Sequence, residues 1–362
     1  MIKLAFGILF FAFGLVNAIA QNSSHCVDAG KSLREGIALS DASMKEEELY
    51  RDAITKCPTM PEAHYNLGVV LSKRGGLEQV TAKNIGATSQ KLDEALESIN
   101  KAIAIREDAS FFSAKGALLV AKSDWNGART TYQKAISLDP KSLKAYQGLG
   151  LIEERTNHLD LAEGHFRKGT ELNAADAISW FNLGVVLERR GRSSESLKAY
   201  EKALFQDGQF FDAALSKGIL LQQMDKIEES KPPLELAAKL RPEDPNPHRA
   251  LGSAYEKEGD FDKAEIAFRK ATSLDSADSL SWTNLGIILV RKKQEALAVD
   301  ALQKAVDLDP KSLQAKSALG WALTELGRYK EAEAILTEAI AIDPSDKLAK
   351  QNMGILQKRM GK

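Results

Sequence analysis

Two cysteines among 362 residues are too few for a disulfide scaffold or a four-ligand zinc site. Ten prolines beside a 44% apolar share exclude a disordered or collagen-like chain. A surplus of positive charge is also missing: 49 basic and 50 acidic residues leave a net charge of −1, with no basic block. A chain that lives by holding phosphates needs such a surplus, so nucleic acid is not an expected partner. The histidines, His25, His64, His158, His165 and His248, are scattered, and no metal set forms from them. Gly30-Lys31-Ser32 resembles the tail of a phosphate loop, but His25 stands where the leading glycine belongs. There is no nucleophile elbow, no paired carboxylate set and no dinucleotide fingerprint. The sequence therefore points away from an enzyme, and no cofactor or metal is expected.

What is present begins with Lys3 and an unbroken run of apolar and glycine residues from Leu4 to Val16. Ala18-Ile19-Ala20 then supplies the small residues that a signal peptidase reads. A bilayer-crossing helix needs about 20 apolar residues, so residues 1–20 read as a signal peptide cleaved after Ala20, with an uncleaved anchor as the alternative. Cleavage removes Lys3 and takes the charge from −1 to −2. The expected setting is exported: periplasm, cell exterior or secretory lumen, with the periplasm favoured and no membrane insertion after cleavage.

From residue 61 onward one period organises the chain. Gly116, Gly150, Gly184, Gly218, Gly252, Gly286, Gly320 and Gly354 are each 34 residues apart. Twelve residues after the first seven of these stands a small residue, as in Ala128, Ala162 and Ala298; seven further on stands another, as in Ala135, Ala203 and Ala305. A large apolar residue lies between, as in Tyr132, Phe166 and Leu302. Trp282, Leu285, Gly286 and Leu289 stripe one helix face, and Ala298, Leu302 and Ala305 stripe a second. Each unit thus predicts two antiparallel helices that approach closely where one backbone is thin. One such hairpin cannot bury its own apolar face, whereas stacked copies bury a continuous core.

In order and spacing, Trp282, Leu285, Gly286, Leu289, Ala298, Leu302, Ala305 and Pro310 resemble the signature of the tetratricopeptide repeat family. Trp180, Leu183, Gly184 and Leu187, and His248, Leu251, Gly252 and Tyr255, open two more units in the same way. The resemblance implies an all-α fold, a right-handed superhelical solenoid of antiparallel helix pairs. Full units are 109–142, 143–176, 177–210, 211–244, 245–278, 279–312 and 313–346. Unit 61–108 carries about fifteen extra residues (about 75–91) in its inter-helix turn, read as a lengthened loop or a partner-binding one. Residues 21–60 read as a degenerate capping hairpin, and 347–362 as a C-terminal capping helix. Lys231-Pro232-Pro233 falls inside an expected helix, which predicts that this helix starts late, with Ser230 as its cap. His64 and His248 occupy the aromatic packing position of their units, which assigns them to the core. Cys26 and Cys57 lie near the two neighbouring ends of the first hairpin, and export favours a disulfide between them over two buried thiols.

Numbering each unit so that the signature glycine is position 8, positions 2, 5, 9 and 12 form a second stripe on the first helix. The resemblance places that stripe on the concave groove. Facing water alone it would be polar, yet it holds Tyr65, Val69, Leu151, Ile178, Phe181 and Val185 in the first half. In the second half it holds Leu215, Ile219, Leu280, Ile287 and Trp321. Surplus apolar surface of this kind marks a binding site, unless the winding of the solenoid shields it. Position 6 carries Asn66, Asn182 and Asn284, whose carboxamides can pair with the backbone of an extended peptide. This is similar to the asparagine ladder of O-linked N-acetylglucosaminyl transferases, though local bonding or solvation serves equally. The clamp that other family members use for chaperone tails needs asparagine at position 9, which no unit has.

The expected function is a non-catalytic scaffold or adaptor that holds an extended peptide or partner segment in the groove. Two alternatives stay open: a self-associating or complex-docking module of the cell envelope, and an accessory subunit of a glycosyltransferase or secretion complex. The stripe side chains are expected to be exposed in the free protein.

Overall fold

The computed structural model describes residues 24–75 and 85–361. The expected signal peptide and most of the lengthened turn lie outside the described residues. Among the described residues there are nineteen helices and no strand. They run α1 (Ser24–Leu39), α2 (Met44–Lys56), α3 (Pro61–Arg74), α4 (Ile85–Ile105), α5 (Ala109–Ala121), α6 (Trp125–Leu138), α7 (Leu143–Arg155), α8 (Leu159–Leu172) and α9 (Ala177–Arg189). After these come α10 (Ser193–Gln206), α11 (Phe211–Gln223), α12 (Ile227–Leu240), α13 (Pro245–Glu258) and α14 (Phe261–Leu274). The last are α15 (Ser279–Arg291), α16 (Glu295–Leu308), α17 (Leu313–Glu325), α18 (Tyr329–Ile342) and α19 (Lys347–Arg359). The chain divides into two compact units, one ending at Arg192 and one beginning at Ser193.

The 34-residue period is visible in the turns. Between first and second helices, position 15 takes a left-handed backbone, at Ser123, Asn157, Asp225 and Lys293 as well as Gly191, Gly259 and Gly327. Between repeats, the side chain of Asp139 accepts from the Lys141 amide at 2.9 Å, and Asn173, Asp207, Asp275, Asp309 and Asp343 do the same two residues on. These Asx turns close each second helix and aim the next first helix back along the stack. Caps such as Asp108, Asp176, Asp278 and Asp346 then satisfy the first amides of the following helix.

Within a pair, the signature glycine is a steric necessity. A Cβ on Gly286 would lie 2.3 Å from Leu302, one on Gly252 2.7 Å from Phe268, and one on Gly320 2.4 Å from Leu336. Those large side chains are fully buried, as are Ala264, Ala271, Ala298 and Ala305 beside them. Neighbouring repeats are clasped by ion pairs 27 residues apart: Arg74 with Glu47, Arg190 with Glu163, and Lys292 with Glu265 at 2.7 Å. Between α12 and α13 the polarity is reversed, with Lys231 on the earlier helix 2.8 Å from Glu258. Burial pushes the Glu163 carboxyl up, but hydrogen bonds from Arg167 and Arg192 outweigh it and hold the group below its usual value.

Two expectations are corrected here. Helix α12 starts at Ile227 and carries Pro232 and Pro233 inside it; Ser230 is not its cap but donates to the Ile227 carbonyl at 2.6 Å. The prolines forfeit two backbone bonds, yet the packing of Leu234 and Ala237, both fully buried, holds the helix in register. The lengthened turn is not loop throughout, since α4 already begins at Ile85. Cys26 and Cys57 form a disulfide with Cα atoms 5.0 Å apart, pinning α1 to the end of α2.

Candidate functional site: the inner faces of the two units

In each unit the stack bends towards the first helices of the pairs. Helix α5 packs on both α3 and α7, and α7 on α9; in the second unit α13 packs on α11 and α15, and α15 on α17. No comparable packing joins successive second helices among the described residues. The side with the shorter repeat distance is the concave one, so the first helices lie along it, and the stripe at positions 2, 5, 9 and 12 runs along those helices.

In the first unit this face carries Tyr65, Val69, Leu151, Ile178, Phe181 and Val185, all half-buried rather than exposed. Tyr65 stacks on Phe111 of the next first helix at 4.9 Å between ring centres, and Arg106 covers the Phe111 ring at 5.3 Å. Burial, helped by the nearby Asp108 charge, pushes the Tyr65 hydroxyl up to about 12. In the second unit Leu215, Ile287 and Trp321 are half-buried, and Ile287 and Trp321 pack against the core. Ile219 and Leu280 stand out, at 36% and 46% exposure. The expectation of an exposed stripe therefore holds at Ile219 and Leu280 and is corrected at the others, where neighbouring first helices lie close enough to cover the side chain's flank.

The asparagines at position 6 differ among themselves. The Asn66 amide donates to the Glu62 carbonyl at 2.9 Å, Asn182 is buried, and Asn284 is half-buried. Asn352, at the same position of α19 and missed in the sequence reading, donates to the Ser317 carbonyl at 2.9 Å and fastens α19 to the stack. Other polar groups of the face also bridge repeats. Gln147 donates to Asp176 at 2.8 Å, Gln222 to the Ala250 carbonyl at 2.7 Å, and Arg249 to Asp278 at 2.7 Å. Burial raises the Asp278 pKa, but Ser281 and Arg249 hydrogen-bond to the ionised form and bring it below the usual value.

At position 4 a repeated bond ties ring N–H groups to the preceding inter-repeat turn. Trp180 donates to the Ala174 carbonyl at 2.9 Å and Trp282 to Ser276 at 3.1 Å, while His64 Nε2 lies 2.9 Å from the Pro58 carbonyl. Burial, aided by the Lys270 charge, lowers the His248 pKa. Among the described residues no three His, Cys, Asp or Glu side chains converge as a metal site would require. No described helix is long and apolar enough to cross a membrane.

Paired helices crossing at a glycine, stacked with apolar side chains left on the inner face, define a repeat scaffold of the helical-hairpin class. Models of the tetratricopeptide repeat match residues 113–177 and 154–209, and a model of the middle TPR-like domain of cilia and flagella-associated protein 70 matches 248–360. The chain belongs to the tetratricopeptide repeat family. It is 24% identical over 193 residues to anaphase-promoting complex subunit 3 of Schizosaccharomyces pombe, covering 53% of this chain and 29% of that protein. It is also 24% identical over 204 residues to the TPR repeat-containing protein MJ1428 of Methanocaldococcus jannaschii, covering 54% and 35%. The chain thus spans about a third of the length of these curated relatives. Among solved structures, that of the APC/C hetero-tetramer Cut9–Hcn1 is similar in fold, with a TM-score of 0.52 at 17% identity over 92% of this chain and 76% of that one.

Proposed function

We propose that this protein is an exported, non-catalytic scaffold whose concave faces hold a segment of another protein. The observation that carries the reading is the exposure of Ile219 and Leu280 on the inner side of the second unit, where water alone would favour polar residues. The half-buried apolar residues around them offer a continuous contact surface, with Arg249, Asp278 and Gln222 supplying fixed polar points. Similarity to a subunit of a multiprotein complex fits a scaffold role. Export rests on the apolar run of residues 4–16 and Ala18-Ile19-Ala20, and the Cys26–Cys57 disulfide suits an oxidising compartment. The test is affinity capture from the exported fraction with Ile219→Ser and Leu280→Ser variants. Loss of the captured partner with an unchanged melting temperature supports the reading. Capture as strong as with the unmodified protein refutes it.

A further inference from the structure

Helix α19 repeats the pairing face of α17, with no second helix on it among the described residues. In α17 that face holds Lys316, Leu319, Gly320 and Leu323, all buried, and α18 packs on it. Leu336 of α18 fills the space over Gly320, where an added Cβ would lie 2.4 Å away, and Glu338 of α18 forms an ion pair with Lys316. The same four positions of α19, 34 residues on, are Lys350, Met353, Gly354 and Gln357. Lys350 and Gln357 are exposed, Met353 and Gly354 are half-buried, and nothing lies within 4 Å of a Cβ placed on Gly354. Helix α19 buries its other side, through Ala349, Asn352 and Leu356, where it meets α17 and α18. Its charge is of one sign: Lys347, Lys350, Lys358 and Arg359, with no acid. Among the described residues only Arg359 of these has a carboxylate partner, Glu325 at 3.2 Å.

We propose that α19 is a docking surface for an acidic amphipathic helix of another protein, which lies along it as α18 lies along α17. The occupant presents one large apolar residue to Gly354 and, two residues later, a carboxylate to Lys350. Small residues stand at the places of Ala332 and Ala339, both fully buried on α18. Charge selects the occupant: the cations of α19 repel a basic helix, and Lys350 lacks the carboxylate that Lys316 has. A second copy of this chain offers no match. Two places after the large residue its second helices carry Lys101, Lys134, Lys168, Lys202, Lys270 and Lys304, and α12 carries Leu236. Only α18 has an acid there, and α18 is already engaged with α17.

The experiment uses the full chain and a fluorescent peptide with the sequence of α18, Tyr329–Ile342, stapled on its solvent side so that it is helical alone. Anisotropy reads its binding. The peptide binds the unmodified protein, and a Glu338→Gln version binds up to about fivefold more weakly, a difference that shrinks as salt is added. Lys350→Gln in the protein removes that difference. Gly354→Ala leaves the melting temperature unchanged or higher, yet weakens binding by at least about tenfold, because the added Cβ meets the leucine of the peptide. Binding that survives Gly354→Ala overturns the proposal, and so does no binding at all or an acid effect that persists in Lys350→Gln. A dimer of the chain that Gly354→Ala dissociates puts a second copy on this face and likewise overturns it. None of these outcomes bears on the concave faces, so the groove reading stands or falls separately.

Discussion

Gly320 and Gly354 occupy the same position of successive repeats, and alanine should act on them with opposite sign. At Gly320 a Cβ would sit 2.4 and 2.5 Å from two atoms of Leu336, a fully buried side chain that cannot swing away. Overpacking of this kind costs about 1–3 kcal/mol, against about 1 kcal/mol gained from the better helix propensity of alanine. The net effect of Gly320→Ala is a loss of up to about 2 kcal/mol. At Gly354 nothing lies within 4 Å of the added Cβ, so Gly354→Ala should keep the whole gain of up to about 1 kcal/mol. Urea unfolding followed by far-ultraviolet circular dichroism reads the first change as a lower midpoint. Amide exchange across α19 reads the second as slower local opening, because an end helix frays before the array unfolds. A neutral or stabilising Gly320→Ala would refute the steric account, and so would a destabilising Gly354→Ala.

Further predictions concern the turns, the clasp and the disulfide. Lys293 holds a left-handed backbone at φ 57°, so Lys293→Gly should raise the unfolding midpoint, by about 0.5–1 kcal/mol, and an unchanged or lower midpoint counts against strain there. Because the folded pKa of Glu163 lies below its ordinary 4.5, its stabilising contribution is present above that value and is lost as pH falls through the folded pKa. Glu163→Gln should therefore flatten the acid side of the stability profile; an unaltered slope contradicts the arginine clasp. Cys26→Ser opens a loop of sequence separation 31, which the chain-entropy model values at about 3–4 kcal/mol. Protection should be lost first in α1 and α2, and free labelling of both thiols in the unreduced protein would remove the premise.

The repeat architecture was legible because its rules are short-range and steric. Gly286 and Leu302, 16 residues apart, must be thin and large together, and that pairing recurs on one period. The expected late start of α12 failed because proline rules describe an isolated helix, while Leu234 and Ala237 are anchored by their neighbours. Spacings of 27 residues in Glu163–Arg190 and Glu265–Lys292 carried the clasp all along, but only the fold shows which charges meet. The candidate groove was half legible. Its residues run along the first helices, but how far each is covered depends on contacts between repeats, such as Tyr65 on Phe111, which no helical period encodes.

The central claim, that the inner face is where a partner is held, is tested most directly by site-specific photocrosslinking in the cells that make the protein. A photoreactive residue is placed at Ile219 or Leu280 on the concave side of the second unit, and at Ile266, which is 68% exposed on α14, a second helix of its pair. The account predicts a discrete adduct with another protein from Ile219 and Leu280 and none from Ile266. Equal adducts from all three positions, or adducts only between copies of this chain, would contradict it.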